Sequence, residues 1–464
     1  MKDGDGSVRF YCTAGAGMEE FLLDEVKSKL HATEVEHIPG RVFFRCHSNQ
    51  HDVVRLKSAE RLFLLLHKAP PTSLPTNPAK AASVIEQRIV GNPDLWSRTL
   101  STWFSLQAEL NCSEGRGQKR KREEEEESVK HPSFRVSCRC SGAIARSYNS
   151  QNLNRIIGMA INRQLGWKAD LRAPTIEAHT HTLYHCYKYL PIPWLMSLLA
   201  VNVFECLMLR VIFRVCVFIQ VNVYLSDDHS VVGIPLLRQP LASRTYLKHT
   251  GLRSTVAWAM ASLCNLQETS VVLDPMCGVG TILLEAVQEC PNGVFIGMDS
   301  EEAQIHKAVE NVQTAGQEER VLIIQSSCMA LPLPSASVDA VVCDIPFGRK
   351  FSCGVAMTTA LPRILAEMES IFVFYRVLHQ GGNLVLLLSL QLSVLIKKLI
   401  GTDSLGMRSN AADCDQDAHT SETSAEKFSL NSLLLQSKHR VSLGSTDALI
   451  HTYIKRHTTC DAQL

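Results

Sequence analysis

The sequence predicts an α/β protein whose C-terminal half forms a doubly wound, seven-stranded sheet, preceded by two smaller α/β units. From residue 241 onward, short apolar runs alternate with helical segments, which is typical of βαβ units. Two of these runs, Val271–Leu273 and Ala340–Cys343, each end in an aspartate and a turn. A block of charged residues, 113–131, separates the two smaller units from each other.

Length and composition limit the possible classes of protein. A chain of 464 residues is expected to form more than one domain, because single cores rarely exceed about 250–300 residues. With 47 basic and 46 acidic residues, the charge neither demands nor excludes nucleic acid. The 16 cysteines show no zinc-ribbon spacing, and the first residues contain no apolar signal segment. We therefore expect reduced cysteines and no secretory signal.

Residues 1–112 read as a small α/β domain. The pattern predicts strands at Val8–Thr13 and Arg41–Cys46 and a helix at Met18–Leu30. Val53–His67 has helical periodicity and is predicted as a second helix.

Residues 113–131 form a charged linker, because runs of like charge do not fold. Lys119–Arg122 is basic and Glu123–Glu127 is acidic. The basic half could serve as a nuclear-import signal or as a solvated hinge. We expect the protein in the nucleus, with the cytoplasm as an additional location.

Residues 132–240 begin a second α/β unit, with a strand at Phe134–Cys140 and a helix at Asn152–Leu165. An almost continuously apolar segment, 178–220, then interrupts it. Joining Glu177 directly to Val221 gives one clean alternating strand, so we interpret the segment as an insertion. A buried helix and a membrane span remain alternatives, although we expect no membrane partner. Its histidines lack acidic or cysteine partners at ligand spacing, so no metal site is predicted.

Residues 241–464 are predicted to form the doubly wound sheet, with a loop at 402–429 that is rich in Ser, Asp and Thr. The predicted strands are Val271–Leu273, Val294–Met298, Val321–Ile324, Ala340–Cys343, Asn383–Leu388, Arg440–Leu443 and Ala448–Lys455.

The segment that follows the first of these strands has the features of a cofactor site. Asp274 lies at a strand end, where open parallel sheets bind ligands. Gly278 and Gly280 allow a tight turn, and Thr281 begins a helix whose N-terminus favours negative charge. Main-chain groups of Met276 and Cys277 could reach the amino-acid end of a ligand.

Asp299, at the end of the next strand, narrows the choice of cofactor. Its carboxylate is suited to accept both hydroxyls of a ribose, although capping of the following helix is an alternative. The third glycine of the dinucleotide fingerprint is missing. The sequence therefore favours S-adenosylmethionine over a nicotinamide cofactor.

The second motif, Asp344-Ile-Pro-Phe-Gly348, has the features of a reaction site. The amine of a base is a poor nucleophile because its lone pair is delocalised into the ring. The Asp344 carboxylate and the carbonyl of Pro346 could accept its two hydrogens and direct the lone pair, which is catalysis by positioning. Phe347 could stack on the base, worth about 1–3 kcal/mol. Together the two motifs predict methyl transfer to a nitrogen.

At these residues the chain resembles the THUMP-domain RNA guanine-N2 methyltransferases, and the resemblance covers most of the chain. It implies an N-terminal ferredoxin-like domain, a THUMP domain and a Rossmann-like methyltransferase domain. It also implies N2-methylguanosine formation in a tRNA or small nuclear RNA, and a small zinc-binding activator subunit. Carried over, Asp274, Gly278 and Gly280 would hold the methionine end, Asp299 the ribose, and Asp344, Pro346 and Phe347 the guanine.

Two departures from this family stand out. Where relatives often place an acid near the adenine, this chain has Ser326-Ser327-Cys328, so Ser327 and Cys328 become cofactor-binding candidates. The insertion 178–220 has no place in a THUMP domain and could come from splicing.

RNA contacts are not fixed by a motif, and the basic candidates are Arg135, Arg139, Arg146 and Lys168. Two other functions remain open: methylation of adenine or a glutamine amide, and a catalytically impaired RNA-binding variant. A protein-glutamine enzyme would not need an RNA-binding unit.

Overall fold

The computed structural model describes residues 7–47, 50–112, 133–169, 218–346, 376–401, 433–444 and 446–456. These residues form an eight-stranded and a seven-stranded sheet, each flanked by helices. The predicted linker 113–131, the predicted loop 402–429, Phe347 and residues 178–217 of the predicted insertion lie outside the described residues.

The first sheet contains β1 to β8 in the order β2-β3-β1-β4-β8-β7-β5-β6. Its strands are Val8–Thr13 (β1), Thr33–Ile38 (β2), Arg41–Cys46 (β3), Arg61–Ala69 (β4), Ser133–Cys140 (β5), Lys168–Ala169 (β6), Phe218–Leu225 (β7) and Ser230–Pro235 (β8). The helices are Glu19–Leu30 (α1), Gln50–Val53 (α2), Pro78–Ile85 (α3), which continues into a π-helical turn at Glu86–Val90, Pro93–Cys112 (α4), Gly142–Ser147 (α5) and Ser150–Leu165 (α6).

This sheet crosses the boundary between the two N-terminal units expected from the sequence. β4, from the first unit, pairs antiparallel with β8, from the second, with Leu64 opposite Ile234. The strands on both sides of residues 113–132 therefore share one continuous hydrogen-bond ladder.

The predicted helix at Val53–His67 is wrong. Only Gln50–Val53 is helical, and Arg61–Ala69 is strand β4. β4 lies between β1 and β8 in the middle of the sheet, and its Leu62, Phe63 and Leu64 are all buried. A strand covered on both faces shows no alternation, so its short apolar run could not be distinguished from a helix.

The strand predicted to follow the insertion begins three residues earlier than expected. β7 begins at Phe218, and Phe218, Ile219 and Gln220 pair in parallel with Ser133, Phe134 and Arg135. The segment 218–220 therefore belongs to the sheet, and the strand does not need the proposed junction between Glu177 and Val221. The stretch considered as a membrane span lies outside the described residues, and within them no helix has the length and apolar character to cross a bilayer.

The second sheet confirms all seven predicted strands of the C-terminal half, in the order β11-β10-β9-β12-β13-β15-β14. They are Val271–Asp274 (β9), Val294–Asp299 (β10), Val321–Gln325 (β11), Val338–Asp344 (β12), Leu378–Ser389 (β13), Leu433–Leu443 (β14) and Thr446–Lys455 (β15). The helices are Ser254–Ser262 (α7), Thr281–Glu289 (α8), Glu302–Ala315 (α9) and Leu390–Gly401 (α10).

The chain reverses its direction of winding between β9 and β12. β9, β10 and β11 follow one another toward one edge, whereas β12 and β13 extend toward the other, and these five strands are parallel. In such sheets the crevice for a ligand opens at the carboxyl ends of the strands, at this reversal. The sheet topology therefore places the candidate site at the ends of β9, β10 and β12.

A buried ion pair ties the N-terminal sheet to the seven-stranded sheet. The Arg244 guanidinium donates to Glu285 on α8 at 2.8 Å, and to the carbonyl of Lys57, ahead of β4, at 2.7 Å. The Arg244 and Glu285 side chains are only 4% and 0% exposed. Removing one partner of such a pair leaves an uncompensated buried charge, so the contact is strongly constrained.

A second contact between the two parts depends on the absence of a side chain at Gly17. Gly17 has φ of +83°, and a Cβ built there would overlap the carbonyl group of Arg440 in β14. The neighbouring Ala16 carbonyl accepts a hydrogen bond from the Ser442 N–H at 3.0 Å.

We predict that Gly17→Ala lowers the thermal unfolding midpoint much more than Gly166→Ala. Both glycines have positive φ, which costs an alanine about 1–2 kcal/mol. Among the described residues no atom beyond its chain neighbours lies within 4 Å of a Cβ at Gly166, so that variant has only this cost. At Gly17 the overlap with Arg440 adds to it, for a total of about 3 kcal/mol or more. Equal midpoints for the two variants would contradict the close approach of Gly17 to β14.

Candidate active site

Three aspartates end three adjacent strands of the seven-stranded sheet. Asp274 ends β9, Asp299 ends β10 and Asp344 ends β12. Since β10, β9 and β12 are neighbours and run parallel, the three side chains lie at one edge of the sheet. The structure therefore brings together the acids from both sequence motifs.

Asp274 is the most deeply buried of the three, with 1% of its surface exposed. Its Oδ1 accepts the Met276 N–H at 3.2 Å. Burial raises the pKa of Asp274 well above its usual value, and the negative charges of Asp344 and Asp299 raise it further. A cation placed beside these acids would favour their ionised forms. The site is therefore electrostatically suited to a positively charged ligand.

Asp299 contacts the glycine-rich turn through its carboxylate. Its Oδ2 accepts the Gly278 N–H at 3.0 Å, and its Oδ1 accepts the Glu301 N–H at 2.9 Å. The residue that caps α9 is Glu301, so Asp299 supports this helix start without being its cap. Each carboxylate oxygen can accept a second hydrogen bond, which leaves capacity for two ribose hydroxyls.

The glycine-rich turn has the predicted conformation. Gly278 and Gly280 have φ of +54° and +79°, and Gly280 caps α8. The Cys277 N–H donates to the Met298 carbonyl at 2.8 Å, which fixes the turn to the end of β10. Thr281 Oγ1 is buried, and it has no hydrogen-bond partner within the described part of the chain. An orphaned hydroxyl at a helix N-terminus is available to an anionic group such as an amino-acid carboxylate.

Ser327 and Cys328 follow β11 on the Asp299 side of the site. The Ser326 N–H donates to the Asp299 carbonyl at 3.0 Å, which joins the ends of β10 and β11. Ser327 is exposed and accepts the Met329 N–H at 3.2 Å, and Cys328 is half-buried. The structure thus places both residues in the turn beside Asp299, where backbone and hydroxyl groups could meet an adenine.

The second motif begins at the end of β12. Asp344 pairs in register with Leu387 of β13, and the Ile345 N–H donates to the Leu387 carbonyl at 3.2 Å. Burial raises the pKa of Asp344 to about 7. Pro346 is half-buried, and Phe347 lies outside the described residues, so its predicted stacking role stays a prediction.

Three of the four predicted RNA-binding residues share one face of the eight-stranded sheet. Arg135 and Arg139 project from the same side of β5, opposite to the buried Phe134 and Cys138. Lys168 on β6 is in register with Ser133 and therefore falls on that side as well. Arg146 is exposed on α5, a helix that packs on the opposite face through Ile144.

Two residues near these sites were not anticipated from the sequence. The Arg41 guanidinium lies 3.5 Å from the centre of the Tyr224 ring, on the same sheet face as Arg139. Asn311 on α9 donates to the Val279 carbonyl at 2.9 Å, within the glycine-rich turn. Asparagine is a weak helix former, so its place inside α9 is explained by these contacts and not by helix propensity.

No metal centre is found in the described ranges, where no group of three or more His, Cys, Asp or Glu side chains could hold an ion. His179, His181 and His185 lie outside them.

Known proteins resemble this chain along nearly its whole length. The RMKL-like methyltransferase domain family UPF0020 matches residues 242–395. The U6 snRNA (guanine-N(2))-methyltransferase THUMPD2 of Bos taurus is 34% identical over 97% of this chain and 96% of its own length. Its human counterpart is 33% identical over 98% and 97%. This chain belongs to the THUMPD2 family of guanine-N2 methyltransferases. It is therefore a methyltransferase with S-adenosylmethionine as the methyl donor, as the two motifs predicted.

Solved structures confirm the fold of this THUMPD2-family chain. TrmN from Thermus thermophilus superimposes with a TM-score of 0.60 at 17% identity, over 97% of this chain and 99% of TrmN. SMU.472, solved in complex with SAH, has a TM-score of 0.57 at 13% identity. A Rossmann-like methyltransferase sheet preceded by a second sheet is thus the architecture of the chain.

The residues at the strand ends fit S-adenosylmethionine. Its ammonium and sulfonium charges suit a site where three carboxylates converge and one has a strongly raised pKa. The orphaned Thr281 hydroxyl and the N-terminus of α8 suit its carboxylate. Asp299 has free acceptor capacity for its ribose.

We predict that cofactor binding releases protons between pH 6 and 7.5 and tightens as the pH rises through about 7. Asp344, with a pKa near 7, is partly protonated in the free protein, and the bound cation favours its ionised form. The raised pKa of Asp274 acts in the same direction. Titration calorimetry in two buffers of different ionisation enthalpy measures this release. The affinity should level off at higher pH, and it should depend more steeply on pH for S-adenosylmethionine than for S-adenosylhomocysteine, which has no sulfonium charge.

Asp274→Asn is the matched control for this prediction. The amide keeps the hydrogen bond from Met276 and removes the charge, so cofactor binding should weaken and proton release should fall. An acid whose pKa is raised on folding loses stability as the pH rises from its unfolded pKa, about 3.9, to its folded pKa. The ligand-free variant should therefore unfold at a higher temperature than the wild type at pH 8. A lower midpoint there would contradict the buried, destabilising charge.

Proposed function

We propose that this chain transfers a methyl group from S-adenosylmethionine to the exocyclic N2 of a guanosine in U6 small nuclear RNA. The observation that carries this is the identity of 33–34% over nearly the full length with proteins named as U6 snRNA guanine-N2 methyltransferases. The placement of Asp344-Ile-Pro346 beside the cofactor residues Asp274 and Asp299 supports the same reaction.

A tRNA guanosine is the second candidate substrate. The tRNA (guanine(6)-N(2))-methyltransferase THUMP3 of Bos taurus is 26% identical over 64% of this chain. The lower identity and coverage favour the small nuclear RNA, and the chemistry at Asp344 would be the same for both.

The cofactor would be held at the ends of β9, β10 and β11. Asp274, the main-chain groups of Met276 and Cys277, and the turn Gly278–Thr281 would hold its amino-acid end. Asp299 would accept the ribose hydroxyls, and the turn at Ser327 and Cys328 would face the adenine. When bound, this cofactor supplies a methyl group on a positively charged sulfur.

Asp344 would make the guanine amine reactive by orienting it. Its carboxylate and the Pro346 carbonyl accept the two N–H groups, so the nitrogen lone pair points toward the methyl carbon. As the N–C bond forms and the S–C bond breaks, the nitrogen becomes positively charged and must lose a proton. A carboxylate with a pKa near 7 can accept that proton at neutral pH and return it to solvent.

The face of the eight-stranded sheet that presents Arg135 and Arg139 would carry the RNA. Arg135, Arg139 and Lys168 share this face, and Arg41 stacks on Tyr224 next to them. Arginine and lysine side chains bind phosphates, so this face would hold the RNA backbone while the base enters the site at Asp344. Arg146, on the opposite side, would contact a part of the RNA that passes the edge of the sheet.

We also propose that a small zinc-binding activator subunit docks along β11. This strand is the edge of the seven-stranded sheet, so one side of its backbone has no neighbouring strand among the described residues. Leu322 and Ile324 are 48% and 36% exposed, and Val309 on α9 is 36% exposed. An apolar edge strand is a site for addition of a partner strand, and without cover it favours aggregation.

The nucleus is the proposed location, with the cytoplasm as an additional one. A small nuclear RNA substrate and the basic run Lys119–Arg122 both support this proposal.

We expect the full chain to transfer radiolabelled methyl groups from S-adenosylmethionine to N2-methylguanosine in total small RNA, with the label concentrated in U6. Asp344→Ala should reduce the transfer by about 10²–10³-fold or more, because it removes an acceptor aimed at the reacting amine. S-adenosylhomocysteine affinity should change little. Nucleoside analysis of the labelled RNA and calorimetry with S-adenosylhomocysteine measure the two effects.

A different result in this methyl-transfer experiment would support one of the alternative functions. Label in adenosine or in protein would reject the guanine assignment, and label in tRNA would select the second substrate. RNA binding without any label would indicate a catalytically impaired variant. Full activity of Asp344→Ala would remove the role assigned to that carboxylate.

Leu322→Glu should weaken the complex with the activator subunit by about tenfold or more, because it buries a charge in the proposed interface. Leu434→Glu is the matched control, since Leu434 is 39% exposed on β14, the opposite edge of the same sheet. Co-purification of the two chains measures the effect. If both variants keep the subunit, or both lose it, the β11 edge is not the interface.

A further inference from the structure

Asn311 connects three segments that are distant in the sequence. It lies inside α9 and is fully buried. Its Oδ1 accepts the N–H groups of Lys248 and His249, both at 2.8 Å. Its Nδ2 donates to the carbonyls of His249 and Val279, both at 2.9 Å. One amide therefore joins α9, the segment that precedes α7 and the glycine-rich turn.

Only an asparagine in this orientation satisfies all four backbone groups. Two of them are donors and two are acceptors, so the oxygen and the nitrogen of the amide each meet the matching pair. An exchanged amide, or a side chain with acceptors only, would leave buried carbonyls unpaired. Each unpaired buried carbonyl costs more free energy than a made hydrogen bond contributes.

The segment held by Asn311 lies directly against the cofactor turn. A Cβ built at Gly251 would lie 2.7 Å from Val279 Cγ2 and 3.1 Å from Thr281 Oγ1. This approach leaves no space between the 248–251 segment and the turn. Lys248 forms an ion pair with Glu310 on α9, and the His249 ring is within hydrogen-bonding distance of the same carboxylate.

We propose that Asn311 is a positioning residue for S-adenosylmethionine. It fixes the Val279 carbonyl and the 248–251 segment in one arrangement. The N–H groups at the start of α8 and the Thr281 hydroxyl then face the ligand before it binds. Such a preformed turn reduces the ordering that binding would otherwise require. Asn311 itself does not touch the reacting atoms. Its role rests on the proposed cofactor site and does not depend on which RNA is the substrate.

Asn311→Asp tests this role with almost no change in volume. The introduced carboxylate can still accept from Lys248 and His249, but its second oxygen faces the carbonyls of His249 and Val279. We expect the dissociation constant of S-adenosylhomocysteine, measured by calorimetry on the full chain without RNA, to rise about tenfold or more at pH 8. With saturating cofactor, kcat should stay within about twofold of wild type.

The pH dependence separates positioning from general destabilisation. Protonation of the introduced carboxyl restores one donor, so the ratio of variant to wild-type dissociation constants should fall as the pH is lowered from 8 to 6. Burial among backbone groups places that protonation within reach of this range.

Val312→Ala is the control, because Val312 is the next residue of α9, is 4% exposed and packs in the core. It should lower the unfolding midpoint but leave S-adenosylhomocysteine affinity within twofold. Asn311→Ser, which leaves room for water, provides the same comparison if the aspartate variant does not fold. Affinity within twofold of wild type in the folded Asn311 variants, or an equal loss in Val312→Ala, would overturn the proposal. If the methyl-transfer experiment gave no label in guanosine, the proposal for Asn311 would still stand, because the binding measurement contains no RNA.

Discussion

The convergence of three carboxylates at adjacent strand ends is the constraint on which the catalytic half depends. Burying Asp274 and Asp344 costs free energy, which appears as their raised pKa values, and the neighbouring negative charges raise the pKa of Asp274 further. The sheet tolerates this cost because its seven strands and the helices on both faces supply a large buried core. A cationic ligand beside these acids favours their ionised forms.

The surrounding backbone keeps these acids in position. Asp299 holds the Gly278 amide, Cys277 holds the end of β10, and Asn311 holds Val279 against the segment before α7. Each of these contacts uses at least one main-chain group. The turn therefore depends less on which side chains fill it than on the few groups that fix its path.

Much of the catalytic half could be predicted because buried parallel strands read as apolar runs, and the acids that end them mark the ligand edge. The features that the sequence did not predict depend on contacts between segments that are distant in the chain. β4 was mistaken for a helix because both of its faces are covered, and nothing local indicated that it pairs with β8. Asn311 escaped prediction because its four partners are backbone groups of other segments, and the backbone carries no sequence signal. The start of β7 was missed because Phe218 and Ile219 are as apolar as the residues before them.

The β4–β8 ladder has a consequence for how this protein selects its substrate. The strands of both N-terminal units share one sheet, so the two units form one rigid body. The buried Arg244–Glu285 pair connects this sheet to α8. The distance from the basic sheet face to Asp344 is then a fixed length. An RNA held on that face would therefore present to Asp344 only those guanosines that lie at a matching distance from the bound segment.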